Sequence, residues 1–180
     1  DHHRQWDGTL STDPETFVAH VADIVESMAS HGVRKTVVVN GHAGNTDALS
    51  RAARQLRDAG VAFAVPWNWF SDLDEECQEL VGDTIGHANE VETTMIYAVE
   101  ARRGGTLVRE EALEAAEAGA GGDRASVSGA RVEYDSVQYT DSGAIGSPTA
   151  ASREASDRLF AAARGDLDAL VSWLADHEFE

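Results

Sequence analysis

Apolar residues recur every three or four positions between Asp13 and Gly32, a spacing that places them on one face of a helix. Asp13 can cap such a helix, Pro14 suits its first turn, and Gly32 can end it. The pattern therefore predicts a helix in this interval, with an apolar face formed by Phe17, Val21, Ile24, Val25 and Met28.

Two continuous apolar runs follow at residues 36–39 and 61–66, and each has the length and composition of a buried parallel strand. Between them, Asn45 can cap a second helix that ends near Gly60. Strand, helix and strand with short connections are the unit of an α/β fold with a mostly parallel sheet. The second helix would bury Leu49, Ala52, Ala53 and Leu56 and expose Arg51, Arg54 and Arg57.

The later chain is less regular. Residues 71–83 predict an acidic loop, and helical spacing returns between Asn89 and Gly104, where Val91, Met95, Ile96 and Val99 are apolar. Three further kinds of segment complete the pattern: loops at 117–130 and 141–149, an edge strand at 131–139, and one or two closing helices at 150–177.

Acidic residues outnumber basic ones by 32 to 14, which gives a net charge of −18, and Lys35 is the only lysine. Such a surface stays hydrated in concentrated salt, so the composition predicts a halophilic host. The same charge repels nucleic acid, and no nucleic-acid partner is expected. No apolar run has the length of a membrane span, so no membrane partner is expected and the predicted location is cytoplasmic.

His42 follows directly after the first predicted strand, in the sequence NGHAGN. Ligands of open α/β sheets bind at the carboxyl ends of the strands, so His42 stands where a functional residue is expected. Two simpler interpretations remain open. The histidine can be an incidental loop residue, or Gly41 and Gly44 can form a phosphate-binding turn before the helix.

A second histidine, His87, precedes the third predicted helix in the sequence GHANEVETT, and Glu92 follows it. An imidazole and a carboxylate so close together are candidate metal ligands or acid–base groups. Asn89 and Glu92 also have the spacing of a capping box. Taken alone, this segment favours the capping interpretation, which explains Glu92 without a metal.

Four segments resemble, in order, motifs of the creatininase family. VVVNGHAGN resembles its Asn-Gly-His-Gly-Gly-Asn motif, and GHANEVETT resembles its His-Ala-Gly-Glu-x-Glu-Thr-Ser motif. RQWDGTLSTDPETF is similar to its Pro-Gly-Thr-Leu-Ser segment, and SGAIGSPTAASREASDRLF to its Gly-x-Pro-x-x-Ala-Thr region. The resemblance covers nearly the whole chain, which is identified as a member of that family.

The resemblance implies a three-layer α/β/α fold and a metal-dependent amidohydrolase. Such an enzyme would cleave a non-peptide amide with water activated by two metal ions. His42 would bind one ion, Glu92 would bind the other, and His87 would be the catalytic histidine. The metal would be zinc, or else manganese or iron, at two ions per complete subunit. A small-molecule amide substrate and a homo-oligomer, hexameric in the family, are also implied.

The resemblance also bears on the substrate, which Gly41, Ala43 and Trp69 are expected to contact. Gly44 stands where creatinine-specific members carry an acidic residue, and Asp83 stands where they carry a tryptophan. Creatinine is therefore not the expected substrate. A cyclic or formyl amide on a biosynthetic intermediate is expected instead.

The family's other metal ligands, a Glu-x-His pair and a bridging Asp, lie upstream of the segment that matches Trp6–Phe17. The chain begins with Asp1 rather than Met. The expectation is a single creatininase-like domain, residues 1–180, of a haloarchaeal member that lacks the N-terminal strand and ligand segment. Residues 1–3 would border the substrate pocket. Two alternatives remain open: a non-catalytic α/β module that binds a phosphate-bearing ligand, and an inactive remnant of the family.

Overall fold

A computed structural model describes residues 3–73, 78–79, 86–121, 126–128, 130–131 and 135–178 of the chain. The chain forms two compact units. We call them the sheet unit, which consists of Thr12–Asp72 with Ala163–Glu180, and the helical unit, which consists of Asp1–Ser11 with Leu73–Ala162. Each unit has its own secondary structure and its own buried residues.

The sheet unit contains two parallel strands joined by a helix. Strand β1 (Lys35–Asn40) pairs with strand β2 (Phe63–Asn68), and the register places the last residues of the two strands, Asn40 and Asn68, opposite each other. Helix α2 (Thr46–Asp58) connects the strands. This arrangement confirms the α/β class and the parallel pairing that the two apolar runs predict.

Helix α1 (Pro14–Ser30) precedes β1 and packs against α2. Val25 of α1 and Leu56 of α2 form a buried core with Ala62 and Ala64. Burial of these side chains away from water is what holds helices and strands together in this unit.

Both helices start where the sequence predicts, but their caps differ. The Asp13 carboxylate accepts hydrogen bonds from the amides of Glu15, at 2.9 Å, and Thr16, at 3.4 Å. Asn45 occupies the cap position of α2, yet among the described residues its side chain accepts no capping bond. The cap position is therefore predicted correctly at both helices, and the capping bond at only one.

Strand β1 is less buried than its composition predicts. Val39 is 59% exposed, and within β1 only Asn40 is buried. The reason is that α1 and α2 pack with Ala62 and Ala64 and leave Val39 outside that core. The expectation of a fully buried strand is wrong for β1.

The helical unit is built mainly from α3 (Glu90–Arg103), α4 (Glu110–Ala118) and the start of α5 (Ser156–Asp176), which ends in the sheet unit. Two short antiparallel strands, β3 (Ser126–Val127) and β4 (Ala130–Arg131), pair within it. The third predicted helix and a single closing helix are confirmed. None of the described helices combines the length and the apolar character that crossing a membrane requires.

Several expectations for the helical unit need correction. Helix α4 is not predicted, because its sequence EEALEAAEA carries one leucine and no apolar period. The edge strand predicted at 131–139 is wrong at Ser136–Gln138, which form a 3-10 turn. The Asp135 amide donates to the Gln138 side chain at 2.8 Å and closes that turn. Most of the acidic loop predicted at 71–83 lies outside the described residues.

Glu100, near the end of α3, is a buried carboxylate with three hydrogen-bond donors. It accepts bonds from the backbone amides of Val108, at 2.7 Å, and Leu107, and from the Arg153 guanidinium at 2.8 Å. The Val108 bond first, then the Arg153 and Leu107 bonds, favour the ionised carboxylate and hold the pKa of Glu100 below its ordinary value. Arg153 also lies over the Tyr97 ring at 3.8 Å, so α3 is tied to the segments before α4 and α5.

Candidate active site

His42 lies just after β1, in a loop that bends back into α2. Its backbone is extended, and a short 3-10 turn at Ala43–Asn45 leads into the helix. The imidazole Nδ1 accepts a hydrogen bond from the Gly44 amide at 3.2 Å. Because a backbone amide only donates, Nδ1 carries no proton in this arrangement. The loop itself therefore orients the half-buried His42 ring.

Two asparagines support this loop from the ends of the strands. The Asn40 side chain donates to Asn68 Oδ1 at 2.7 Å and accepts a bond from the His42 amide at 3.3 Å. Neither asparagine is a predicted site residue. The pairing follows only from the parallel register, which brings together two residues 28 positions apart.

His87 precedes α3 and is fixed through its backbone. Its amide donates to the Ile145 carbonyl at 3.0 Å, and the Ile145 amide donates to the His87 carbonyl at 2.8 Å. This antiparallel bridge joins the segment at 86–89 to the segment at 143–146. The position of His87 therefore depends on the close approach of two backbones.

Two glycines allow that approach. A Cβ at Gly86 would lie 2.5 Å from both the Ile145 carbonyl oxygen and Asn89 Nδ2. A Cβ at Gly146 would lie 2.8 Å from the Asn89 Cβ, and Gly146 has a φ of +119°, which side chains disfavour. At Gly41, by contrast, an added Cβ would meet no described atom within 4 Å. The His87 segment therefore requires glycine for packing, and Gly41 does not.

Glu92, in the first turn of α3, serves the start of the helix. Its amide donates to Asn89 Oδ1 at 3.0 Å, which confirms the predicted N-cap. Its carboxylate accepts a bond from the Ala88 amide, one residue earlier than a capping box would place the donor. Ala88 has a left-handed backbone with a φ of +48°. A metal bound by Glu92 would therefore share a carboxylate that already closes the helix start.

His3 stacks on His87 within the helical unit. The ring centroids are 4.0 Å apart and the planes differ by 21°. Trp6 lies beside His3, with ring centroids 5.8 Å apart, and its Nε1 donates to the Asp141 carbonyl at 3.3 Å. His3 is predicted only to border the substrate pocket, and its stacking on His87 leaves no local sequence signal because it joins residues far apart in the chain.

The residues expected to contact the substrate lie at the carboxyl ends of the two strands. Gly41 and Ala43 follow β1 and are exposed, while Trp69 follows β2 and is half-buried. Trp69 packs edge-on against Phe70, with centroids 5.6 Å apart. This is the edge where parallel α/β sheets bind ligands. Asp83 lies outside the described residues.

The structure brings His87 and Glu92 together in one segment of the helical unit, whereas His42 belongs to the sheet unit. Imidazole and carboxylate are donors that zinc and manganese accept, so the residue types fit a divalent metal. A catalytic zinc takes about three protein ligands. His42 and Glu92 alone therefore do not complete a two-metal centre.

Comparison with known proteins decides the family. The family model of creatininase, described as creatinine amidohydrolase, matches residues 1–171. The chain belongs to the creatininase family. The match includes all four resembling motifs, and with them His42, His87 and Glu92 of this family member.

Relatives of this creatininase-family chain agree with that assignment. A creatinine amidohydrolase from Pseudomonas putida is 33% identical over 106 residues, which cover 51% of this chain and 40% of the relative. A creatininase solved with Mn is 27% identical, with a TM-score of 0.67 over 94% of this chain and 68% of that chain. A Zn–Zn form of a creatininase variant is 26% identical, with a TM-score of 0.68 over 94% and 67%.

A Bacteroides fragilis protein assigned as a creatinine amidohydrolase has a TM-score of 0.73 at 22% identity, over 98% of this chain and 68% of that chain, and shows the fold alone. The chain spans 40% of the Pseudomonas putida relative and about two thirds of the solved structures. The creatininase fold is therefore shared over nearly all of this chain, which corresponds to part of each relative.

Proposed function

We propose that the protein is a metal-dependent amidohydrolase that cleaves a non-peptide amide C–N bond in a small molecule. The observation that carries the proposal is the match of residues 1–171 to the creatinine amidohydrolase family. Creatininase structures with Mn, of a Zn–Zn type and with creatine bound support divalent metals and a small amide-related ligand.

In this proposal, His42 and Glu92 hold divalent metal ions, zinc or else manganese or iron, at two ions per complete subunit. Other residues supply the remaining ligands. When bound, such ions activate water and polarise an amide carbonyl. Glu92 has a second carboxylate oxygen besides the one that accepts the Ala88 amide, whereas an ion at His42 Nδ1 would have to replace the bond from the Gly44 amide.

His87 is the general acid. An amide nitrogen leaves poorly until it is protonated, and an imidazole titrates near neutral pH, so it can deliver that proton. The bridge to Ile145 holds the His87 backbone, and the stacked ring of His3 restricts rotation of its side chain. A donor fixed in this way loses little freedom when the substrate binds.

Gly41, Ala43 and Trp69 contact the substrate. Gly41 and Ala43 leave space beside the strand ends, and Trp69 offers a flat ring on which a planar group can stack. Gly44 brings no acidic side chain to this loop, so a cyclic or formyl amide is the preferred substrate over creatinine. The homo-oligomer and the cytoplasmic location remain predictions.

The test is amide hydrolysis by the full chain supplied with Zn²⁺ or Mn²⁺. The panel contains creatinine, other cyclic amides and formyl amides, and mass spectrometry measures the ring-opened acid from each cyclic amide and the deformylated amine from each formyl amide. We expect at least one cyclic or formyl amide other than creatinine to be turned over faster than creatinine. His87→Ala should keep its metal and lose about 100-fold or more of that turnover, because the acid–base group is gone.

His20→Ala is the matched control, since His20 is an exposed histidine of α1 and should leave both measurements unchanged. Turnover that survives in His87→Ala would remove the assigned role of His87. If metal-free protein binds a nucleotide and no amide is hydrolysed, the chain is a phosphate-binding module and not a hydrolase. Metal binding without hydrolysis of any amide would indicate an inactive remnant.

A further inference from the structure

We propose that Asn40 and Asn68 are positioning residues for His42, and that their paired side-chain amides hold the histidine loop in its metal-binding geometry. The inference rests on the proposed function only in taking His42 as a metal ligand. The two asparagines end β1 and β2 and lie opposite each other in the parallel register. Asn40 is 3% exposed, and a buried amide is costly unless its donors and acceptor are bonded.

The Asn40 side chain bonds both backbone polar groups of His42. Its Oδ1 accepts the His42 backbone amide at 3.3 Å, and its Nδ2 donates to the His42 carbonyl at 2.9 Å. Its Oδ1 also accepts a bond from the Asn45 side chain at 3.3 Å, at the start of α2. One side chain therefore fixes both ends of the histidine loop.

Asn68 determines which way the Asn40 amide points. Asn68 Oδ1 accepts bonds from Asn40 Nδ2 at 2.7 Å and from the Thr46 hydroxyl at 3.4 Å. With an acceptor at Asn68 and another at the His42 carbonyl, the Asn40 side chain must present its NH₂ group between them. A carboxylate at position 40 would place an oxygen, in place of the NH₂ group, against Asn68 Oδ1 and the His42 carbonyl. A carboxylate at position 68 would keep the acceptor that the network needs.

The orientation of the His42 ring depends on the loop that Asn40 holds. His42 Nδ1 accepts the Gly44 amide at 3.2 Å, so the direction of the imidazole follows the backbone that Asn40 holds. The bonds of the Asn40 side chain run to this loop and to Asn68, whereas the backbone ladder of β1 and β2 holds the strands. Groups that hold a metal-binding side chain in place typically change metal affinity by about 10–100-fold when they are lost.

The experiment compares the same chemical change at the two positions. Zn²⁺ affinity of the full chain is measured by competition with a chromophoric chelator, for wild type, Asn40→Asp and Asn68→Asp, well below their melting temperatures. We expect Asn40→Asp to weaken Zn²⁺ binding by about 10–100-fold. Asn68→Asp should stay within about threefold of wild type, because it keeps the acceptor.

A second measurement needs no metal. Hydrogen exchange of the His42 amide should be at least about tenfold faster in Asn40→Asp and Asn40→Ala than in wild type, because the loop loses its support. Exchange along the β1–β2 ladder should not change, and Asn68→Asp should behave like wild type. Faster exchange through the whole ladder would show that Asn40 only stabilises the sheet, and would overturn the proposal.

His42→Ala separates this inference from the proposed function. If His42→Ala loses Zn²⁺ and Asn40→Asp binds it as tightly as wild type, the positioning role is wrong and the ligand assignment stands. If His42→Ala and wild type bind Zn²⁺ equally, the ligand assignment is wrong, and the exchange rates alone decide whether Asn40 orders the loop. Equal effects of Asn40→Asp and Asn68→Asp would also overturn the inference.

Discussion

The two histidine loops are held by different means. The His42 loop is supported by side chains, since the Asn40 amide bonds both the backbone N–H and the backbone C=O of His42, and Asn68 orients that amide. The His87 segment is supported by backbone, through the reciprocal bonds with Ile145. A loop held by side-chain hydrogen bonds can be loosened by a single polar substitution. A segment held by backbone hydrogen bonds is released only when the two backbone segments are pushed apart.

This difference also explains where glycine matters. Gly41 precedes His42 but faces open space in the described chain, so its loop does not depend on a missing Cβ. Gly86 precedes His87 and lies directly against Ile145 and Asn89. Substitutions should therefore disturb the His42 loop mainly at polar side chains, and the His87 segment mainly at glycines.

Gly86→Ala should cause the largest loss of stability and so separate the two loops most clearly. The added methyl would lie 2.5 Å from the Ile145 carbonyl, so the bridge must open. Forcing extra volume into a close-packed contact typically costs about 1–3 kcal/mol, and we expect a loss of stability in that range by chemical denaturation. Gly41→Ala, in the other loop, should change stability by less than about 0.5 kcal/mol. Equal losses in the two variants would show that the bridge does not hold the His87 segment.

A smaller effect should come from the helix caps that follow the two histidines. Asn89→Ala removes the bond to the Glu92 amide and should lower stability by about 1 kcal/mol. Asn45→Ala removes a residue that occupies a cap position without bonding the α2 amides among the described residues, so its loss should be smaller. Thermal melts of both variants check this. A larger loss for Asn45→Ala would reverse the assignment of the caps.

Mild acid should produce the smallest effect, around Glu100 in the helical unit. The pKa of Glu100 lies below its ordinary value of 4.5, so its contribution to stability is complete at neutral pH and is lost as pH falls through the folded pKa. Hydrogen exchange near 104–108 and at the end of α3, expressed relative to the intrinsic exchange rate at each pH, should therefore become faster below pH about 4.5. Glu100→Gln should show that faster exchange already at pH 7, and should respond less to acid. Identical pH profiles in the two proteins would contradict the role of Glu100.

Much of the architecture could be predicted because local signals decide it. Asp13 before Pro14 and Asn89 before Glu90 are caps whose bonds form within one turn, and the structure confirms both. The apolar runs around β1 and β2 also predicted their parallel pairing. Helix α4 was missed because alanine and glutamate leave no apolar period to read.

The candidate site residues come from sequence motifs, whereas the groups that support them leave no signal in the sequence. His42, His87 and Glu92 sit in short motifs that a sequence can match to a family. The Asn40–Asn68 pair depends on strand register, and the stacking of His3 on His87 depends on two distant segments meeting. Neither leaves a local pattern along the chain, so tertiary structure was needed to find them.

The central claim, that His42 and Glu92 hold the metal, is tested most directly by metal content. Wild type, His42→Ala, Glu92→Gln and Glu90→Gln are loaded with Zn²⁺, dialysed and analysed by mass spectrometry. Glu90 is the matched control, because it lies in the same helical turn and its carboxylate bonds the Ser147 amide at 2.8 Å. We expect wild type and Glu90→Gln to retain zinc, and His42→Ala and Glu92→Gln to lose most of it. Zinc retained in full by Glu92→Gln, with only a loss of about 1 kcal/mol in stability, would show that Glu92 does no more than close the start of α3.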